Sequence, residues 1–172
     1  PFMGSDTRQL LGISRERLIC SPTCTYLQIT QSRSWLPNPV GGVVWLGYDN
    51  PAAVPHVPIY IGTSALAEGW MRDGRRSYGR DCAWWAFRTV AKLAQFRWQE
   101  MEPEIRSVWT ELEKRYFDRQ PAFEREVAAL WKKSPSKATK LLTRYTIETS
   151  REAMNRYWEL ADGLWVRYGK YF

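Results

Sequence analysis

Three cysteines and a single histidine are the side chains here that ordinarily supply a thiolate nucleophile or a neutral-pH base. Cys20, Cys24 and Cys82 are odd in number and include no CxxC pair, and His56 has no second histidine to join it. That pattern predicts neither a zinc site nor a disulfide framework, and it calls for no cofactor and no bound metal. His56 sits in Pro55-His56-Val57-Pro58 at the start of an expected strand, where it reads as a structural histidine rather than a base. The N-terminal Pro1 amine is a base in principle, but no surrounding pattern frames a pocket for it, and Pro1-Phe2-Met3-Gly4 reads as a cut edge. No complete catalytic set is therefore expected within these residues.

The elements that must position any site follow from periodicity. The chain has 172 residues, 44% of them hydrophobic and 25% charged, enough apolar material for one packed core. Its longest apolar run, around Gly41 to Gly47, is broken by glycines and too short to cross a bilayer. Asp6 to Gly12 predicts one capped helical turn. From Thr25 to Arg33 the side chains alternate, with Leu27, Ile29, Gln31 and Arg33 on one face, apolar at one end and polar at the other. Trp35 to Pro39 predicts a loop, Gly41 to Tyr48 a buried strand ended by Asp49-Asn50-Pro51, and Val57 to Ile61 a third strand. Pro58 cannot donate to a ladder, which puts that strand at an edge or a bulge.

Beyond Gly79 the period becomes helical. One helix is expected from Asp81 to Met101 with Trp84, Phe87, Ala91, Ala94 and Trp98 inside, and a second from Pro103, broken or restarted at Pro121. A third should open at Ser134-Pro135 and run towards Tyr168. The class is α+β: residues 1–66 form a strand-rich part, 67–80 a basic loop and 81–172 a helical layer, together one incomplete domain.

Of the net charge of +7, most lies on the helices, since residues 67–172 hold 21 basic and 15 acidic groups. Arg125, Lys132, Lys133, Lys137, Lys140 and Arg144 crowd one helix junction, and Arg72, Arg75, Arg76 and Arg80 the preceding loop. A nucleic-acid surface combines such cations with stacking rings. Here most tryptophans fall at core spacing away from those cations, which favours a solvated basic face.

Ile19-Cys20-Ser21-Pro22-Thr23, Thr30-Gln31-Ser32-Arg33-Ser34-Trp35-Leu36-Pro37 and Gly41-Gly42-Val43-Val44-Trp45 occur in that order. Val57-Pro58-Ile59-Tyr60-Ile61-Gly62 and Ala83-Trp84-Trp85-Ala86-Phe87 follow. In this order the pieces resemble the C-terminal part of the cysteine dipeptidases that include dipeptidase A and are related to the secernins. The resemblance implies an αββα N-terminal-nucleophile hydrolase, in which a cysteine at the mature N-terminus attacks a peptide carbonyl of a dipeptide. Its own α-amine, with a reference pKa of about 7.7 to 8.0, takes the thiol proton, so no histidine is needed.

Because Cys20, Cys24 and Cys82 are internal, the resemblance places the nucleophile on an upstream segment of the same protein, and this chain then carries no catalytic residue. For the substrate cleft Gln31 and Arg33 stand out, because they share a strand face and sit at its polar end just before a loop; a guanidinium there suits a substrate carboxylate, or else an ion pair within the fold or a contact with the upstream segment. Trp35, Trp84 and Trp85 suit either an apolar side-chain pocket or the core. With three strands and an edge proline, the open sheet is expected to take up the upstream segment or a second copy of the chain. A non-enzymatic helical interaction domain and a basic nucleic-acid-binding module are the alternative readings.

Overall fold

The structure, a computed structural model, describes residues 5–12, 20–21 and 23–171; Pro1, and Ile19 and Pro22 of the first motif, lie outside the described residues. Alternating side chains produce three strands, β1 (Tyr26–Ser32), β2 (Gly42–Tyr48) and β3 (Val57–Tyr60), joined in an antiparallel sheet of order β1-β2-β3. Directly opposed residues share a face. Ile29 opposes Trp45, which opposes Pro58, while Gln31 opposes Val43, which opposes Tyr60. Thr30, Val44 and Ile59 form a row on the reverse face. Val43, Trp45, Pro58 and Tyr60 are buried, whereas Val44, Leu46 and Ile59 are only half-buried and β1 is exposed along most of its length. β3 is an edge strand, as Pro58 requires.

The connections follow from local chemistry. After β1 the chain turns through α2 (Asn38–Gly41), a single helical turn with Pro39 near its start, which begins in the stretch expected to be a loop and takes Gly41, the expected first residue of the next strand. After β2, Asp49 adopts a left-handed φ of 71°, which Asp tolerates better than most residues. Its fully buried carboxylate accepts from Arg88 Nη1 at 2.7 Å and from the Asn50 amide at 2.9 Å. Burial pushes this carboxyl above its ordinary range, against the lowering effect of Lys92 and Arg88. The Asn50 side chain then caps a 3₁₀ turn at Pro51–Ala53 by accepting from Ala52 N.

The helical part comprises α1 (Ser5–Leu10), α3 (Glu68–Met71), α4 (Ala83–Leu93), α5 (Trp98–Lys133) and α6 (Pro135–Tyr168). Three expectations are corrected. The helix expected over 81–101 is two helices, because α4 ends at Leu93 and the chain turns before Trp98 starts α5. No glycine or proline marks that turn, so periodicity carries across it. The buried stripe of α4 is Ala83, Ala86, Phe87, Val90, Ala91 and Leu93; Trp84 and Trp98 are only partly buried.

α5 does not break at Pro121 but continues for 36 residues with Pro103 and Pro121 inside it. Pro121 is exposed, so solvent can satisfy the carbonyl its ring leaves without an intrahelical partner, while Phe123 and Val127 beyond it are held in the core. The segment 67–80 contains the α3 turn, whose Trp70 is buried and donates from Nε1 to the Ser150 carbonyl of α6.

α6 packs along both α4 and α5 and against β3. Over the buried face of the sheet, Trp45 meets Phe117 of α5 with ring centres 4.7 Å apart, and Tyr60 meets Phe123 and Tyr145 at 5.6 and 6.0 Å. Tyr157 of α6 donates to the Ala53 carbonyl and packs on Phe87, tying the β2–β3 turn to both helices.

Candidate functional site

The polar end of the β1 face leads directly to a buried ionic cluster. Arg33 follows β1, and its guanidinium reaches across to Glu124 on α5, with Nη1 at 2.5 Å from Oε1 and 2.7 Å from Oε2. Both side chains are more than nine-tenths buried. Arg33 Nε donates to the Gly41 carbonyl at 3.2 Å and Nη2 to the Val40 carbonyl at 3.1 Å, so the guanidinium is engaged on all three nitrogens. The opposite carboxylate is equally occupied: Tyr60 Oη donates to Glu124 Oε1 at 2.8 Å and Gln120 Nε2 does so at 2.8 Å. Burial, then the neighbouring Glu124 charge, raise the Tyr60 phenol well above its ordinary value.

Close backbone approach makes this cluster possible. A Cβ on Gly41 would stand 2.6 Å from the Arg33 carbonyl oxygen, so a side chain there would push the two segments apart.

Gln31 lies one step outside the cluster and is exposed. Its Oε1 accepts long hydrogen bonds from Trp45 Nε1 and Gln120 Nε2, both at 3.4 Å. The carboxamide N–H donors therefore remain available to a peptide carbonyl or carboxylate. Beside it Ile29, Trp45 and the half-exposed Phe117 form an apolar wall. The two residues singled out in the sequence thus meet one network, with Arg33 inside it and Gln31 on its solvent side.

The tryptophans do not form one pocket. Trp35 is 78% exposed on the loop after β1. Trp84 and Trp85 touch each other on α4, with Arg88 over the Trp84 ring and Trp85 Nε1 donating to the Ser77 carbonyl. Trp84 also borders a cavity of about 200 Å³ with Tyr48 and Trp70.

The groups with nucleophile or base chemistry are dispersed. His56 Nδ1 lies 2.6 Å from Glu113 Oε1, which also accepts from the His56 amide, and among the described residues the buried His56 Nε2 has no partner. Cys24 Sγ donates to the Tyr26 carbonyl, Cys82 is buried with its Sγ 3.6 Å from the Arg72 carbonyl, and Cys20 is exposed. Among the described residues no three His, Cys, Asp or Glu side chains gather as a metal-binding group.

Glu124, Tyr60 and Gln120 complete the cluster and were not singled out in the sequence. Glu124 had one visible signal, an acidic residue between Phe123 and Val127 on a helix face that is otherwise core. A family model described as peptidase family C69 matches residues 7–111, a span that holds all three strands and α4. No curated protein matches the chain. The chain belongs to peptidase family C69, in keeping with its likeness to the dipeptidase A and secernin group.

Proposed function

We propose that this peptidase-family member is the C-terminal portion of a cysteine dipeptidase whose nucleophile is an N-terminal cysteine on an upstream segment. The observation that carries the reading is the family match across the whole sheet and its first long helix. In the proposed reaction the α-amine of that cysteine takes the thiol proton and the thiolate attacks the dipeptide carbonyl. The C–N bond then breaks as the amine leaves with a proton, and water releases the acyl group from the thioester. Here Cys24 and Cys82 donate only to backbone carbonyls, and the one histidine is bound to Glu113, which supports looking for the nucleophile elsewhere.

The αββα arrangement belongs to the same reading. The half-buried row of Val44, Leu46 and Ile59 suits a second sheet, and the exposed β1 suits a further strand. Gln31 is assigned to the substrate backbone, with Arg33 held by Glu124 as its positioning residue. A second copy of the chain is the alternative cover for the open sheet. The test is a dipeptide panel run on this chain and on the protein extended upstream. Turnover is expected only from the extended form. Turnover by this chain that disappears on alkylation of Cys20, Cys24 or Cys82 would overturn the placement of the nucleophile.

A further inference from the structure

Two groups of cations stand out among the described residues. Arg33, Arg72, Arg75, Arg76, Arg80, Arg88, Arg97, Arg106, Lys114, Arg115, Arg156 and Arg167 each lie within 4.0 Å of a carboxylate. Between residues 125 and 151 the pattern stops. That stretch holds seven basic and two acidic side chains, a net of +5 in a chain of +7. All seven cations are exposed, and among them Arg144 reaches a carboxylate, Glu148, at the 4.0 Å limit. Among the described residues, mutual repulsion at the α5–α6 corner is therefore offset by few carboxylates.

These cations are also ordered in space. Lys137, Lys140, Arg144 and Arg151 recur at helical spacing along α6, over about 21 Å at 1.5 Å per residue. Lys140, Arg144 and Arg151 wall a groove of about 370 Å³ with Ile147, Thr143, Ser64 and one carboxylate, Glu148, so its charged lining is three cations to one anion. The groove has a fixed edge, because Thr143 Oγ1 accepts from the Ser64 amide at 2.9 Å and donates to the Thr139 carbonyl at 2.8 Å.

The surroundings select among anions. Among the described residues no large hydrophobic between 118 and 164 is strongly exposed. The surface thus lacks the apolar anchor of a membrane-binding helix and the rings that single-stranded nucleic acids stack on. An extended peptide presents every second side chain on one side at about 6.6 Å intervals, and the four cations, rising by about 4.5, 6 and 10.5 Å with Glu148 inside the last gap, are spaced about 7 Å apart on average. We propose that this face of α6 is a docking surface for an extended acidic polypeptide segment, its carboxylates meeting Lys137, Lys140, Arg144 and Arg151.

Fluorescence anisotropy of a labelled oligoglutamate peptide with the full chain tests this, beside a thymidine oligonucleotide and phosphatidylserine vesicles. The peptide is expected to bind at low salt and to be released as salt rises. The triple variant Lys140→Ala/Arg144→Ala/Arg151→Ala should bind about tenfold or more weakly, each lost contact being of exposed-ion-pair size. Arg106→Ala/Lys114→Ala, which removes cations already paired, should leave affinity unchanged. Circular dichroism melts confirm that both variants fold. Absence of peptide binding, unchanged affinity in the triple variant, or tighter binding to the oligonucleotide or the vesicles overturns the proposal. None of these outcomes bears on peptidase activity.

Discussion

Replacing Glu124 by Leu strands a charge that the rest of the fold was arranged around. Arg33 would keep its carbonyl partners at Val40 and Gly41 but lose both carboxylate oxygens, at 2.5 and 2.7 Å, while remaining more than nine-tenths buried. Tyr60 and Gln120 would lose their acceptor at the same time. Removing one partner of a buried pair costs about 3 to 5 kcal/mol, most of it the uncompensated charge left behind. For a chain of this size that is a fall in Tm of roughly 6 to 20 °C. Arg33→Met should cost a similar amount for the converse reason. The double variant Arg33→Met/Glu124→Leu should recover much of the loss, because a buried pair replaced by apolar groups is often near neutral. Urea melts of the four proteins give the coupling energy directly. If the two single losses simply added in the double variant, or if each stayed below about 1 kcal/mol, the cluster would not be the buried ionic anchor described here.

Four further outcomes follow from the same packing. Burial raises the phenols of Tyr60, Tyr116, Tyr145 and Tyr157, Tyr145 to about 12. The folded chain then keeps protons that the unfolded chain releases, so stability is full below about pH 10 and falls by roughly 1.4 kcal/mol per pH unit per phenol above it. Urea midpoints followed from pH 9 upward, with tyrosinate absorbance, should show ionisation and unfolding together; early ionisation without unfolding refutes the burial. Phe87→Ala, at the centre of the α4 stripe, should cost about 3 to 5 kcal/mol, and the half-buried Trp84→Ala distinctly less, which equilibrium melts compare. Gly62→Ala would set a Cβ 2.7 Å from the Pro39 carbonyl oxygen and 2.8 Å from a Leu142 methyl, so a Tm drop is expected by calorimetry. A chain ending at residue 111 should fail to give a cooperative melt, because Glu124, Phe123 and the whole of α6 would be gone.

The strands were legible because each has a period of two bounded by turn chemistry. Asp49-Asn50-Pro51 predicts the end of β2 from composition, and the structure adds the left-handed Asp49 held by Arg88. The failures fall where tertiary contact overrides a local signal. Pro121 carries a strong breaking tendency, yet α5 passes through it, because the residues beyond it lie on the same buried face as Leu112 and Tyr116 before it. The break at 94–97 carries no such tendency and yet exists. Trp84 and Trp98 sat at the right spacing for the core, but α4 brings Ala83, Ala86 and Val90 inward and leaves Trp84 half-buried, while Trp98 falls beyond the turn, at the start of α5. In the candidate site, Gln31 and Arg33 were visible as the polar end of an alternating strand. The Arg33 partner, Glu124, is 91 residues away, a separation no local pattern spans.

That long contact also explains why separate short motifs belong together. Arg33 comes from the stretch Thr30 to Pro37, its carbonyl ligand Gly41 from the next stretch, and Tyr60 from the one after. Arg33 and Tyr60 meet on Glu124, which lies beyond the residues matched by the family model, and Gly41 joins them through Arg33. The matched region is thus fastened to the helices that follow it by this buried carboxylate, with the Trp70–Ser150 and Tyr157–Ala53 hydrogen bonds, as well as by apolar packing. A carboxylate accepts hydrogen bonds in fixed directions, so it sets the position of the loop after β1 more narrowly than a leucine would. Gln31, near the end of β1 and two residues before Arg33, inherits that placement while remaining open to solvent. The cost of burying the ion pair is in this way tied to where one exposed carboxamide stands. An apolar replacement that restored stability would leave the Gln31 position less well fixed, which separates what the cluster contributes to folding from what it contributes to the site.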